Sequence, residues 1–362
     1  MVELGLVGLP NVGKSTLFTA LTEKEVAAEN YPFCTVDSNV GLIEVKDERL
    51  EELCCHYQPD KCTPSTIKFI DIAGLVEGAS RGEGLGNQFL ARIREVDAIV
   101  QIVRLFEDDN ISHVMGEIDP IRDIKVIREE LIAADLKTVA RRKDKAVKMQ
   151  KTGERKYREE EEALQRMEAD LEKGIPVRKQ QLTDFQQKLL PELFLLTAKP
   201  TLYLGNVKEQ GTQADRYREE FIDYIAEEQE ESVLIDALFA REMVELPPEE
   251  REIFLAEQEG DSGLENFIKA SYELLDLITF FTVAGGEEVR ATGIPRNTPA
   301  PEAAGKIHSD MEEGFIKAEV INFKAWQEFG SLEEAKNGGQ VKLAGRDYLI
   351  QDGDICYFHF KK

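Results

Sequence analysis

The sequence predicts an α/β fold: a mostly parallel sheet, interrupted by a long helical insertion and followed by a small, separate α+β domain. Three observations carry this reading. Short apolar runs alternate with helical patterns through the first third of the chain, a charged helix-favouring stretch then replaces the alternation, and a Gly/Pro-rich texture with short strands takes over near residue 278. Strands that alternate with helices form a parallel sheet covered on both faces.

In chain order the runs are LGLVGL (strand), KSTLFTALTEK (helix), SNVGLIEV and TIKFIDIAG (strands), NQFLARIREV (helix) and DAIVQIVRLF (strand). From Ile124 to Lys173, apolar positions such as Ile127, Leu131, Leu136 and Val139 recur at helical spacing, which predicts one long helix ended by Gly174-Ile175-Pro176. A second helix over VRKQQLTDFQQKLLPELF is expected to fold back along it as a hairpin. The α/β pattern resumes after Pro200 with TLYLGN, QADRYREEFIDYIAEE and SVLIDALF, so the helical piece reads as an insertion within one domain. In the last part, turns (AGGEEV, TGIPRNTPAPEAAG, AKNGGQ) separate the short strands TFFTV, FIKAEVI, QVKLAG and ICYFHF.

With 362 residues, 42% hydrophobic and 32% charged, the chain can bury a full core and make two or three domains. No run of about 18 apolar residues occurs, and MVELGLVGLP enters a strand pattern without a basic leader, so neither a membrane span nor a secretory signal is expected. The expected compartment is the cytoplasm. Five cysteines (Cys34, Cys54, Cys55, Cys62 and Cys356) have no framework spacing and read as reduced thiols. The cluster CCHYQPDKC around His56 lacks the second Cys/His pair that a zinc site needs. A net charge of −25 excludes a protein that coats nucleic acid with its whole surface, and no sequence-specific DNA partner is expected. Residues 137–158 are the exception, with ten basic side chains against Asp144 and Glu154 alone. That stretch makes an RNA-containing partner physically reasonable; the ten basic and thirteen acidic residues from Ile278 onward do not.

The run Gly8-Leu9-Pro10-Asn11-Val12-Gly13-Lys14-Ser15 fits G-x-x-x-x-G-K-[ST] between a strand and a helix. Its glycines let backbone N–H groups turn inward around phosphates, Lys14 reaches the β- and γ-phosphates, and the Ser15 hydroxyl is placed to ligate Mg²⁺. Asp71-Ile72-Ala73-Gly74 ends a strand-like run, where Asp71 can hold the Mg²⁺ shell from outside and the Gly74 N–H can meet a γ-phosphate oxygen. Thr35, between the first helix and the second strand, stands where a switch threonine ligates Mg²⁺. Gly78, Gly82, Gly84 and Gly86 follow Gly74 and suit either a γ-phosphate-ordered switch or a plain loop. Leu75 occupies the place of the water-orienting glutamine of Ras-type enzymes, so intrinsic hydrolysis is expected to be slow. Two residues offer help. The Asn11 carbonyl could coordinate a monovalent cation such as K⁺ beside the phosphates, and His113 reads either as a water-positioning group or as a packing histidine.

The base-reading loop is Asn206-Val207-Lys208-Glu209, where a guanine reader has N-K-x-D. An aspartate accepts both parallel donors of guanine; Glu209 is one methylene longer, and Val207 offers packing where lysine would lie along the base. Adenine sets a donor beside an acceptor, which suits apolar packing with one or two backbone contacts.

With these residues assembled, the chain closely resembles the Obg-like ATPases, the YchF branch of the translation-factor-related P-loop NTPases. GLPNVGKST, NYPFCTVDSNVG, DIAGLVEGASRGEGLGNQFL, NVKE and AAGKIHSDMEEGFIKAEV carry the resemblance over essentially the whole length. It implies a G domain over residues 1–277 interrupted by a coiled-coil-like insertion at 124–199, and a C-terminal TGS domain of β-grasp fold at 278–362. It also implies preference for ATP over GTP, ribosome association through the insertion and the TGS domain, and a role in translation or stress responses. By position, Asn11, Val12, Gly13, Lys14, Ser15 and Thr16 would hold phosphates, Ser15 and Thr35 would hold Mg²⁺, and Val207 would contact adenine largely through its backbone, flanked by Asn206 and Glu209. Asp236 and Ala237 would form the last base-contacting loop. A GTPase, a dual-specificity NTPase, and a binding protein with negligible turnover stay open as alternatives.

Overall fold

The computed structural model describes residues 2–22, 39–72, 84–208, 212–247, 250, 263–284 and 287–361. Contacts divide the chain into two units, residues 2–41 with 68–274 and residues 42–67 with 275–362.

The first unit is built on five parallel strands in the order β4 (Ser65–Asp71), β1 (Glu3–Gly8), β5 (Ala98–Arg104), β6 (Thr201–Asn206) and β7 (Glu231–Ile235), with β2 (Val40–Val45) beside β4 at the edge. β1, β5 and β6 are almost wholly buried, which is why they read as continuous apolar runs without alternation. β1 feeds helix α1 (Lys14–Thr22), β4 precedes α3 (Gly84–Glu95), and α7 (Thr212–Glu227) returns the chain from β6 to β7. After β7, Asp236 accepts a hydrogen bond from the Phe239 N–H at 2.9 Å and so caps α8 (Ala237–Glu245). Helix α9 (Leu264–Leu274) closes the unit.

The insertion differs from the expected pair of helices. It is a hairpin of α4 (Pro120–Met149) and α5 (Arg155–Glu172), followed by the shorter α6 (Asp184–Leu193). The turn falls at Gly153, whose φ of 79° lies in the left-handed region that favours glycine. Gly174, at φ 81°, then ends α5. Asp119 caps α4, with Pro120 in the first turn, and Thr183 with Gln186 forms a capping box on α6. Leu164, Met167, Val139 and Val177 pack as a core between these helices. At the root, the fully buried Asp135 carboxylate accepts hydrogen bonds from the N–H groups of Leu196 and Thr197, both at 2.8 Å, and from the Thr197 hydroxyl at 2.6 Å. Three donors converging on one carboxylate fix α4 to the segment that enters β6.

The second unit holds a mixed sheet, as expected of a β-grasp fold, in the order β11 (Lys342–Ala344), β10 (Phe315–Asn322), β12 (Asp354–Phe360), β8 (Leu277–Ala284), β9 (Glu288–Pro295) and β3 (Lys61–Thr63). β8 and β9 form an antiparallel hairpin and β12 runs parallel to β8. Two departures from the sequence reading stand here. β9 covers residues read as turns, because Val289 and Ala291 alternate into the core and Pro295 sits at the strand end. Residues 42–67 group with this unit: β3 pairs with β9, and α2 (Glu48–Tyr57) sets Leu50 and Leu53 against Phe281, Val289 and Trp326.

The thiol expectation is also corrected. Cys54 and Cys62 form a disulfide, and Cys55 and Cys356 are free; Cys34 lies outside the described residues. Gln58, at φ 47°, reverses the chain after α2 and brings β3 back beside it. Among the described residues, no helix is long and apolar enough to cross a membrane.

Candidate nucleotide site

The carboxyl ends of β1, β5, β6 and β7 converge on a cavity of about 600 Å³, within the range of small-ligand sites. At one end the loop between Gly8 and Lys14 turns tightly. Asn11 has φ 64° and Gly13 has φ 94°, and a side chain on Gly13 would begin 2.1 Å from the Asn206 Nδ2 atom. Gly8 is constrained by space alone, since its Cβ would lie 2.8 Å from Val12 Cγ2 and 3.0 Å from the Ile102 carbonyl oxygen. The positive end of α1 therefore opens into the cavity, bordered by Lys14, Ser15 and Thr16. Lys14 Nζ is ion-paired with Asp71 Oδ1, so the two groups expected at the phosphate end do meet.

Asn206 has a role that the motif did not foretell. Its side chain is 4% exposed, its Nδ2 donates to the Val12 carbonyl at 2.8 Å, and its Oδ1 accepts from the Ala237 N–H at 3.1 Å. One amide thus pins the phosphate loop to the β7–α8 connection, with both of its polar ends engaged. Val207 borders the cavity, but its N–H already donates to the Ile235 carbonyl at 2.8 Å, which leaves its side chain and carbonyl for a ligand. Asp236 and Ala237 border the cavity too. Thr35, Gly74, Leu75 and Glu209 lie outside the described residues.

Away from the phosphate loop, Phe106, Ile111, Val207, Ala237 and Leu238 form an apolar slot in a cavity that Asp108, Lys208 and Asp236 also border. Sequence reasoning missed Phe106, Asp108, Ile111 and Leu238; for the first two the signal available was the irregular RLFEDDN stretch after a buried strand. Lys208 Nζ lies 2.9 Å from Asp108 Oδ2 and holds that carboxyl below its usual range. Behind the slot sits Arg104, 1% exposed at the end of β5, which donates to the carbonyls of Phe106 at 2.9 Å and Ile111 at 3.0 Å. Asn11 Nδ2 donates to the Ser112 carbonyl at 3.1 Å, tying this same loop to the phosphate loop while its own carbonyl stays uncommitted in that bond.

His113 does not reach the cavity. Its side chain is 2% exposed, its Nδ1 accepts from the Met115 N–H at 3.2 Å, and its Nε2 therefore carries the proton donated to Asp123 Oδ2 at 2.9 Å. Both ring nitrogens are hydrogen-bonded within the protein, an arrangement that favours the packing reading of His113 over the water-positioning one. Burial pushes the Asp123 carboxyl up against the pull of Arg122 and His113.

A parallel sheet whose first strand feeds such a loop defines a P-loop nucleotide-binding protein of GTPase fold. Comparison with known proteins narrows the class. Residues 3–142 match the family model MMR_HSR1, described as "50S ribosome-binding GTPase", and residues 277–361 match YchF-GTPase_C, described as "Protein of unknown function (DUF933)". The chain is 47% identical over 361 residues to the "Ribosome-binding ATPase YchF" of Bacillus subtilis, covering 98% of each chain, and 39% identical to "Obg-like ATPase 1" of Caenorhabditis elegans, covering 99% of this chain and 92% of the relative. The solved structure of the Schizosaccharomyces pombe YchF GTPase superposes with a TM-score of 0.87 at 33% identity, covering 99% of this chain and 97% of that one. The chain belongs to the YchF family.

Replacing His113 by Ala is expected to lower unfolding stability by about 2–4 kcal/mol, because Asp123 loses a buried partner. Turnover per folded molecule should stay within about twofold. Denaturant unfolding and phosphate release check the pair, and a large turnover loss at unchanged stability would restore a catalytic role.

Proposed function

We propose that this protein is a slow, Mg²⁺-dependent ATPase that uses ATP in preference to GTP and associates with ribosomes as a nucleotide-controlled switch. The observation that carries the base assignment is the apolar slot of Phe106, Ile111, Val207, Ala237 and Leu238, continuous with the phosphate loop. Such apolar side chains suit packing against a purine face, which needs fewer polar contacts than a paired acceptor reading guanine. The printed names of the bacterial and nematode relatives support ATP hydrolysis, and the bacterial name supports a ribosomal partner. A GTPase remains the second reading, favoured by the name of the solved yeast relative and of the matched family model.

In this reading Lys14 and the N-terminus of α1 neutralise the β- and γ-phosphates. The Ser15 and Thr35 hydroxyls are hard oxygen donors suited to magnesium, and the Asp71 carboxylate would hold the ion's shell from outside. Among the described residues no three His, Cys, Asp or Glu side chains gather as a metal group. Phosphate oxygens would therefore supply the remaining coordination, as is usual for this ion. Bound magnesium would spread negative charge that develops on the phosphate oxygens. Asn11 offers its carbonyl to a monovalent cation, and Leu75 explains a slow intrinsic rate because it cannot orient water.

The helical arm supplies a specific face for RNA. Much of its basic excess is cancelled internally: Arg142 pairs with Glu160 and Glu192, Lys143 with Glu168, Arg155 with Glu159 and Arg158 with Glu162. Arg141, Lys145 and Lys148 belong to none of these pairs, are exposed, and fall at i, i+4 and i+7 on one face of α4. A ribosomal partner places the protein in the cytoplasm; the Cys54–Cys62 disulfide is at odds with a reducing compartment and weighs against that placement.

Side-by-side calorimetric titration should give tighter binding for ATP than for GTP, and equal or tighter GTP binding would remove the base assignment. Reversing Arg141, Lys145 and Lys148 to Glu should weaken ribosome co-sedimentation and lower its salt slope by about one per lost phosphate contact. An unchanged salt slope would take the arm out of the interface.

A further inference from the structure

We infer that Arg104 is a positioning residue for the base end of the nucleotide site: its guanidinium gathers the backbone of residues 106–111 into the wall that a base would lie against. This rests on the reading of the cavity as a nucleotide site.

Arg104 is among the largest fully buried side chains of the protein. A buried cation is costly unless its donors are met. Three of its five N–H groups point to one loop: Nε to the Phe106 carbonyl at 2.9 Å, Nη1 to the Ile111 carbonyl at 3.0 Å, and Nη2 to the Asp108 carbonyl at a long 3.5 Å. The guanidinium carbon also lies 4.6 Å from the centre of the Phe106 ring, so the same group orients the aromatic wall by its face. Residues 105–109 have no regular secondary structure; the Asp108 carbonyl also accepts from the Ile111 N–H at 3.1 Å, whereas the Phe106 carbonyl takes its hydrogen bond from Arg104. The loop is anchored to β6 at its start, where the Leu105 N–H donates to the Asn206 carbonyl at 2.8 Å. Beyond that anchor, the Arg104 side chain reaches three separate points of the curve. A planar fork with fixed donor directions does this; a lysine ammonium on a flexible stem does not.

Arg104 touches the wall from behind, whereas Lys14, Ser15 and Thr16 border the cavity at its phosphate end. Its loss should therefore be felt by the base and not by the phosphates. Inorganic tripolyphosphate, which has no base, separates the two.

The test measures ATP, GTP and tripolyphosphate binding to the full-length wild type and to Arg104→Met by calorimetry. The proposal predicts ATP binding weaker by about tenfold in the variant with tripolyphosphate binding unchanged. Equal losses for ATP and tripolyphosphate, or no loss for either, would overturn it. Should Arg104→Met not accumulate in folded form, Arg104→Lys carries the same comparison with the same expected split. The GTP arm keeps this inference apart from the base assignment. If the wild type binds GTP as tightly as ATP, the ATP preference fails, and Arg104 keeps its role provided both nucleotides weaken relative to tripolyphosphate.

Discussion

One side-chain amide holds the site together. Asn206, at the end of β6, is hydrogen-bonded on one side to the phosphate loop and on the other to the loop before α8. The two loops are far apart in sequence and belong to opposite ends of the pocket, and each bond is buried. Net, such bonds are worth about 1 kcal/mol each, but leaving the Val12 carbonyl and the Ala237 N–H unpaired would cost about 1–3 kcal/mol apiece. Gly13 is required for the same reason, since a methyl group there would occupy the space of the Asn206 amide. The phosphate loop and the base-side loop are therefore one constructed object, even though sequence motifs describe them separately.

The arm shows how composition can mislead when it is read along the chain alone. Ten basic residues crowd residues 137–158, but α5 begins inside that stretch and goes on to carry Glu159, Glu160, Glu162 and Glu168 alongside α4. Folding the hairpin sets Glu160 and Glu168 against Arg142 and Lys143 in partly buried pairs, while Glu159 and Glu162 pair with Arg155 and Arg158 along α5 itself. The pairs along α5 are exposed and add little to stability, but all of these pairs together decide which cations remain available to a partner. The remaining stripe is narrower than the sequence suggests and more sharply directed.

What was legible in the sequence was what is contiguous in it. The phosphate loop sits between the strand that aims it and the helix that completes it, so eight consecutive residues define its geometry. The parallel strands were legible because burial on both faces leaves unbroken apolar runs. The misses are long-range. His113 was ambiguous until Asp123 and the Met115 N–H were seen to take both ring nitrogens. β3 joins a sheet whose other strands begin more than two hundred residues later, and no local pattern announces such a partner. The place of Arg104 has no local signature, because its partners are backbone carbonyls that carry no residue identity. The hairpin turn at Gly153 is a single glycine in a helix-favouring stretch, a weaker signal than the breaker Gly174-Ile175-Pro176.

The clamp is tested most directly by Asn206→Ala, titrated with ATP and with inorganic tripolyphosphate. If Asn206 works by pinning the phosphate loop to the β7–α8 connection, both ligands should bind about tenfold more weakly or worse, because the cradle itself loosens. If tripolyphosphate binding is unchanged and only ATP weakens, Asn206 is a base contact and the phosphate loop does not depend on the clamp.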